Sequence, residues 1–381
     1  MKKVEEKNMA FAALAVSLIL ALCFSLYGLW AIGSQATQIE KAVENSTNEI
    51  GLLKEYFGEP AGEGIKIQVT KLMADCKECY DISALVDSLK LLEGINITEE
   101  KTLEFNSEEE KALIEKYGIK KLPVIVITGD INDKNLLDTW QNIGDVNEGA
   151  LIQTNVPAPY YDIVSGEVKG KVSLILVESS KCEKCTDINS FSSQLQQMDV
   201  FVENEQSFDY GKGEGKEIIA KYGIERIPAI IISKEIDEYP YLAEQLKQVA
   251  TIEPDGSYVW RDIVPPYLDL NSMQVKGLVG LTMLVDASCA DCYDVNMQKT
   301  ILENYGMKFS SEKTIDVSSA EGKSLLEKYK IKGVPTVILS SEASLYTALA
   351  EAWLEVGTIE ADGSFIFRDL NVLGVKYKDL S

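Results

Sequence analysis

The chain has 381 residues, is 46% hydrophobic and 25% charged, and carries a formal net charge of −23. That balance describes several folded domains, and its acidity repels phosphate backbones, which excludes nucleic acid as a partner. There is no histidine, which removes Ser–His and Cys–His catalysis, His-ligated metals and histidine pH switching together.

In chain order, Lys2, Lys3 and Lys7 precede an apolar stretch from about Met9 to Gly33, with Tyr27 and Trp30 near its far end. Such a stretch is long enough to cross ~30 Å of hydrocarbon, and the lysines set its N-terminus inside. Residues 1–8 are therefore expected as a cytoplasmic tail, 9–33 as a transmembrane signal anchor, and the rest as extracytoplasmic. A cleaved signal peptide ending near Ala31-Ile32-Gly33 is the rival reading. Residues 34–60 read as a helical stem, with Ile39, Val43, Ile50, Leu53 and Phe57 on one stripe, either as a spacer or as a short dimerising coil.

The remainder is a repeat. Of seven cysteines, Cys23 lies in the apolar stretch. The others form three C-x-x-C pairs, Cys76/Cys79, Cys182/Cys185 and Cys289/Cys292, each about a hundred residues from the next. Each is followed at near-constant distance by a proline, Pro123, Pro228 or Pro335. The approach to that proline recurs as Lys-Tyr-Gly-Ile-Lys-Lys-Leu-Pro, Lys-Tyr-Gly-Ile-Glu-Arg-Ile-Pro and Lys-Tyr-Lys-Ile-Lys-Gly-Val-Pro. Within a repeat, a β-type run (Ile65–Val69, Val172–Val177, Leu281–Val285) leads into the dithiol, which is expected to open a helix. A second strand follows, then a helix closed at Tyr117-Gly118 or Tyr222-Gly223, the proline-led strand, another helix, and a hairpin turning at Asp255-Gly256 or Asp362-Gly363. Pro157-Ala158-Pro159-Tyr160 and Pro265-Pro266-Tyr267 mark the junctions.

Strand, C-x-x-C, strand, helix, proline and strand, three times over, resembles the thioredoxin superfamily. The resemblance implies an α/β chain of three tandem thioredoxin-like domains, 61–160, 161–267 and 268–381, each a central mixed sheet flanked by helices. It further implies that Pro123, Pro228 and Pro335 carry cis peptide bonds and form substrate-binding loops against the dithiols. The Trp-Cys-Gly-Pro-Cys signature is absent, and Glu178 and Asp286 are the candidates for the family's buried proton-transfer acid, with Leu72 and Met73 in their place in the first repeat.

Placed at a helix start, Cys76, Cys182 and Cys289 are the expected nucleophiles and Cys79, Cys185 and Cys292 the resolving thiols. Lys181 and Lys184 favour the Cys182 thiolate, whereas Asp75 and Asp291 oppose those of Cys76 and Cys289, so Cys182 is expected to react fastest. Asp81, Asp187 and Asp294 are expected to be structural acids of the first helical turn. The function so read is thiol–disulfide exchange on secreted or surface proteins, without cofactor or metal, with a separate electron donor or acceptor. The alternatives are a non-enzymatic scaffold with structural disulfides, and metal binding by pairs from neighbouring domains.

Overall fold

The computed structural model describes residues 64–92, 94–132, 140–141 and 143–381. The expected anchor (9–33) and stem (34–60) lie outside these, and no helix among the described residues is long and apolar enough to cross a membrane.

In the first unit, β1 (Ile65–Leu72) leads through the dithiol to α1 (Ser83–Leu91), β2 (Ile95–Leu103), α2 (Glu108–Tyr117), the two-residue β3 (Lys121–Leu122), β4 (Val124–Gly129), β5 (Gly144–Asn147) and β6 (Ala150–Gln153). A hairpin, β7 (Tyr160–Asp162) and β8 (Glu167–Lys169), follows. The main sheet has the order β2-β1-β4-β6-β5. β1 and β2 are parallel and the other neighbours antiparallel.

The second unit repeats this with β9 (Val172–Glu178), α3 (Phe191–Gln197), β10 (Val202–Asp209), α4 (Gly213–Tyr222), β11 (Arg226–Ile227), β12 (Ala229–Ile232), α5 (Pro240–Leu246), β13 (Thr251–Ile252), β14 (Tyr258–Trp260) and the hairpin β15 (Tyr267–Asp269) and β16 (Gln274–Lys276). The third has β17 (Leu278–Val285), α6 (Asn296–Asn304), β18 (Lys308–Asp316), α7 (Ala320–Tyr329), β19 (Gly333–Val334), β20 (Thr336–Leu339), α8 (Thr347–Val356), β21 (Gly357–Ile359), β22 (Phe365–Phe367) and β23 (Lys378–Asp379). Their main sheets, β10-β9-β12-β14-β13 and β18-β17-β20-β22-β21, have the same order. The chain is thus three tandem thioredoxin-like α/β units.

Each sheet is covered on both faces, so its central strands are apolar on both sides. Ile67 and Val69 of β1 pack towards α1 with Val86 and Leu89, while Leu72 joins Leu103, Leu122 and Val124 on the other face. The second and third sheets divide in the same way. The α2 and α4 helices stop at Gly118 and Gly223, both left-handed; Lys330 takes that conformation in the third unit. The left-handed turn satisfies the last carbonyls and aims the chain at the proline-led strand.

Units two and three also share side-chain knots. Tyr222 and Tyr329 bond Asp255 and Asp362 in the far hairpin turns, joined by Lys221 and Lys328. Arg261 and Arg368 each reach a glutamate, Glu253 and Glu360, and a helix-end carbonyl, Tyr222 or Tyr329. Both α4 and α7 carry a glycine, Gly215 or Gly322, whose Cβ would lie 2.2 Å from the carbonyl oxygen of Asp209 or Asp316. The first unit has Glu110 there.

Candidate active site: three dithiols under a repeated strap

Each cysteine pair is a disulfide, with Cα atoms 5.4, 5.3 and 5.5 Å apart in chain order. The peptide bonds before Pro123, Pro228 and Pro335 are cis. In the second and third units the resolving sulfur, of Cys185 or Cys292, lies 3.7 or 3.9 Å from the carbonyl oxygen before that proline. The Tyr293 hydroxyl donates to the Pro335 carbonyl at 2.8 Å.

The dithiols do not open helices. Cys182 N–H donates to Ser179 and Cys185 N–H to Cys182; Cys289 N–H donates to Asp286 and Cys292 N–H to Cys289. These are successive turns, and the helices begin only at Ser83, Phe191 and Asn296. Two bonds explain the delay. The N–H just past each pair, of Tyr80, Thr186 or Tyr293, is drawn to a distant carbonyl, of Pro159, Pro266 or Lys376, at 2.8, 2.8 and 3.0 Å. Then Asp81, Asp187 and Asp294 accept the N–H two residues on, from Ser83, Asn189 and Asn296, each at 2.9 Å. An Asx turn of this kind competes with helix and places these acids ahead of it rather than in its first turn. The helix-start field expected to lower the pKa of Cys76, Cys182 and Cys289 is accordingly displaced from the sulfurs, because it falls off within one turn.

The carbonyls that hold the turns belong to a strap, which in the first two units includes the residues expected to be junctions, Pro157–Tyr160 and Pro265–Tyr267, and in the third lies at Lys376. After Pro159, Pro266 or Lys376 the chain runs antiparallel to the two residues before the cis-proline, pairing Leu122 with Tyr161, Ile227 with Leu268 and Val334 with Lys378. It closes with N–H bonds from Ile163, Leu270 and Leu380 to Lys120, Glu225 and Lys332. In the first two units the strap contains a second cis bond, Ala158-Pro159 or Pro265-Pro266. A readable signal existed: a Pro-Tyr pair recurs at the same place after the first two proline-led strands.

Charge around the sulfurs also differs from expectation. Cys182 is buried, 8% exposed, while the other first cysteines are partly open. The Lys184 ammonium donates to the Phe309 carbonyl at 2.9 Å, so its charge is directed at β18 of the next unit. The two acid candidates part company. Burial pushes the Glu178 carboxyl above the usual range, and one of its oxygens is enclosed without a partner. Asp286 is held down to about 2, first by Lys378 at 2.5 Å and then by Ser288. The first unit supplies an acid from another element. Glu110 of α2, 1% exposed, accepts the Asn106 N–H at 2.6 Å and lies against the Met73 backbone ahead of Cys76. Desolvation raises its pKa. In the other units the N–H two residues before the first cysteine, of Ser180 or Ala287, goes to the Asp209 or Asp316 carboxylate.

A carboxyl raised by folding stabilises while neutral and loses that contribution as pH rises through its folded pKa. Glu178→Gln should therefore raise the urea midpoint of the second unit at pH 8 and leave it nearly unchanged at pH 4. Equal shifts at both values would show that ionisation of Glu178 is not at issue.

No protein-family model and no curated protein matches the chain. Forty-eight solved chains match. Full-length ERdj5 is 10% identical with a TM-score of 0.17, the match covering 74% of this chain and 42% of that one. An N-terminal domain of the alkylhydroperoxide reductase AhpF from Enterococcus faecalis is 18% identical over 44% of this chain and 81% of that one, with a TM-score of 0.15. Human ERp44 is 10% identical over 78% of this chain and 86% of that one, with a TM-score of 0.13. Scores this low add nothing to what the strand order, the three disulfides and the cis-prolines establish internally: a thioredoxin-like unit with one C-x-x-C disulfide, present three times.

Proposed function

We propose that the chain is a thiol–disulfide oxidoreductase of secreted or surface proteins, tethered by residues 9–33 with residues 61–160, 161–267 and 268–381 as its three domains outside the cytoplasm. The observation that carries this is the closure of each C-x-x-C pair on itself at a strand end, in units two and three with the resolving sulfur beside the carbonyl before the cis-proline. Such a pair can open and close while the sheet stays still.

In the reducing direction, the first cysteine's thiolate attacks one sulfur of the substrate disulfide, and the other sulfur leaves as a thiolate. The second cysteine then attacks the mixed disulfide and expels the remaining substrate sulfur. The substrate gains two electrons and two protons, and the chain is left as its disulfide. The reverse direction oxidises a substrate dithiol. In either, a separate donor or acceptor resets the pair.

Burial of Cys182 favours a second role for the middle unit, a disulfide that stiffens rather than turns over. Equilibration of the full chain against thiol buffers, read pair by pair by alkylation and mass spectrometry, tests the reading. At least one pair should titrate between about −270 and −120 mV, the range of working dithiols. All three below about −300 mV would leave a scaffold.

A further inference from the structure

We infer that the segment Lys376–Ser381 is a displaceable strap over the third dithiol, lying where an extended polypeptide substrate lies when that dithiol works; the substrate half of this rests on the oxidoreductase reading. The strap touches every segment around the disulfide. The Lys376 carbonyl takes the Tyr293 N–H at 3.0 Å, and the Lys376 ammonium pairs at 2.5 Å with Asp291, between the cysteines. Lys378 bonds Asp286 at 2.5 Å and the Ser288 hydroxyl, next to Cys289, at 3.1 Å. Its backbone pairs with Gly333–Val334, the residues leading into the cis-proline. A polypeptide adding itself as a strand there meets an edge already taken.

The three straps are not held alike. Those of the first two units turn back as β8 and β16 to form three-stranded sheets, and are then pinned in the following unit by Gly170 N–H to Glu235 and Gly277 N–H to Glu342. The third has β19 as its only strand partner among the described residues. What it gains instead is two lysine pairs. Lys376–Asp291 is open to water, with side-chain exposures of 67% and 72%, whereas in Lys378–Asp286 the lysine is 41% and the aspartate 9% exposed. Exposed pairs are weak and screened by salt. A strap held by a two-residue ladder, one screened pair, one half-buried pair and the packing of Tyr377 and Leu380 can be exchanged for another backbone more readily than one continued as a clamped hairpin, which cannot leave without moving the next unit.

The test uses the full chain carrying Lys376→Glu and Lys378→Glu. Each disulfide is reduced by dithiothreitol and timed by alkylation and mass spectrometry, the first two pairs serving as internal clocks. Reduction of Cys289–Cys292 should accelerate roughly three- to tenfold relative to the clocks, and added salt should move the unaltered chain the same way. Exchanging the charges with Asp291→Lys and Lys376→Asp should keep the slow rate. A synthetic peptide of residues 375–381, added to the double variant, should slow the third pair again. An unchanged third rate overturns the strap, and acceleration without peptide rescue overturns its equivalence to a bound polypeptide. Because dithiothreitol is the reductant, both readouts stand even if the chain acts on no protein disulfide.

Discussion

Cys289→Ser should remove most of the chain's disulfide-exchange activity, about tenfold or more, because no mixed disulfide can form at a unit without its nucleophile. Cys182→Ser should remove little, and Cys76→Ser an intermediate share. This order reverses the one that local charge suggests. Lys181 and Lys184 flank Cys182 in sequence, but the sulfur they would activate is shut in, and Lys184 is spent on the Phe309 carbonyl. Cys76 is more open, yet its strap continues into the β7–β8 hairpin and the next unit. Only Cys289 combines a partly open first cysteine with a strap held in part by a water-exposed charge pair. Turnover of a protein disulfide by the three single variants decides the order. A dominant loss from Cys182→Ser would restore the charge argument and remove the access argument.

The largest loss of stability expected from a single residue is at Phe365. Its ring is fully buried and meets Trp353 edge-on at 5.7 Å, in the cluster that joins β22, α8 and β17. Phe365→Ala removes that area and leaves a cavity that a packed β-sheet cannot collapse around, a loss of about 3–5 kcal/mol. Because the units carry separate cores, urea unfolding of the full chain should not be two-state, and the substitution should move one transition while the others stay. A uniform shift of all transitions would show that the three cores unfold as one.

Much of this was legible because it is written in period and punctuation. Alternation and β-branched runs marked β1, β9 and β17, and of Ile82, Leu85, Val86, Leu89 and Leu92, which read as one apolar helical face, Ile82, Val86 and Leu89 are buried at α1, Leu85 is half-buried and Leu92 is exposed. Glycines at 118 and 223 and the Asp-Gly turns at 255 and 362 fell where the chain needs left-handed backbone, which glycine adopts without strain. What misled was local reasoning about the dithiols. A C-x-x-C before an apolar helical stripe reads as that helix's first turn, yet the N–H groups that would join it are taken by Pro159, Pro266 and Lys376 from far along the chain. Nothing within a short window of sequence records such a bond. The acid of the first unit was missed for the same reason: Glu110 belongs to α2 and reaches the dithiol loop only through the fold. Asp286 was found but misjudged, since its partner Lys378 is a strand of another sheet.

The shared knots make the last two units more alike in local frame than either is to the first. The Tyr–Asp–Lys cluster, the arginine on its glutamate, and the glycine pressed against an aspartate carbonyl occur together in units two and three. At the glycine position the first unit has Glu110, a bulky buried acid, and builds its loop differently around Asn106 at a φ of 65°. Three separate details thus agree in two copies and differ in the third, so a side chain placed at Gly215 or Gly322 should meet the same carbonyl obstacle in both units. The two units most alike in frame are nevertheless the pair whose inter-cysteine residues, Glu183-Lys184 and Ala290-Asp291, differ in charge. One common frame thus carries two different reactive settings, a sealed first cysteine at Cys182 and a partly open one at Cys289.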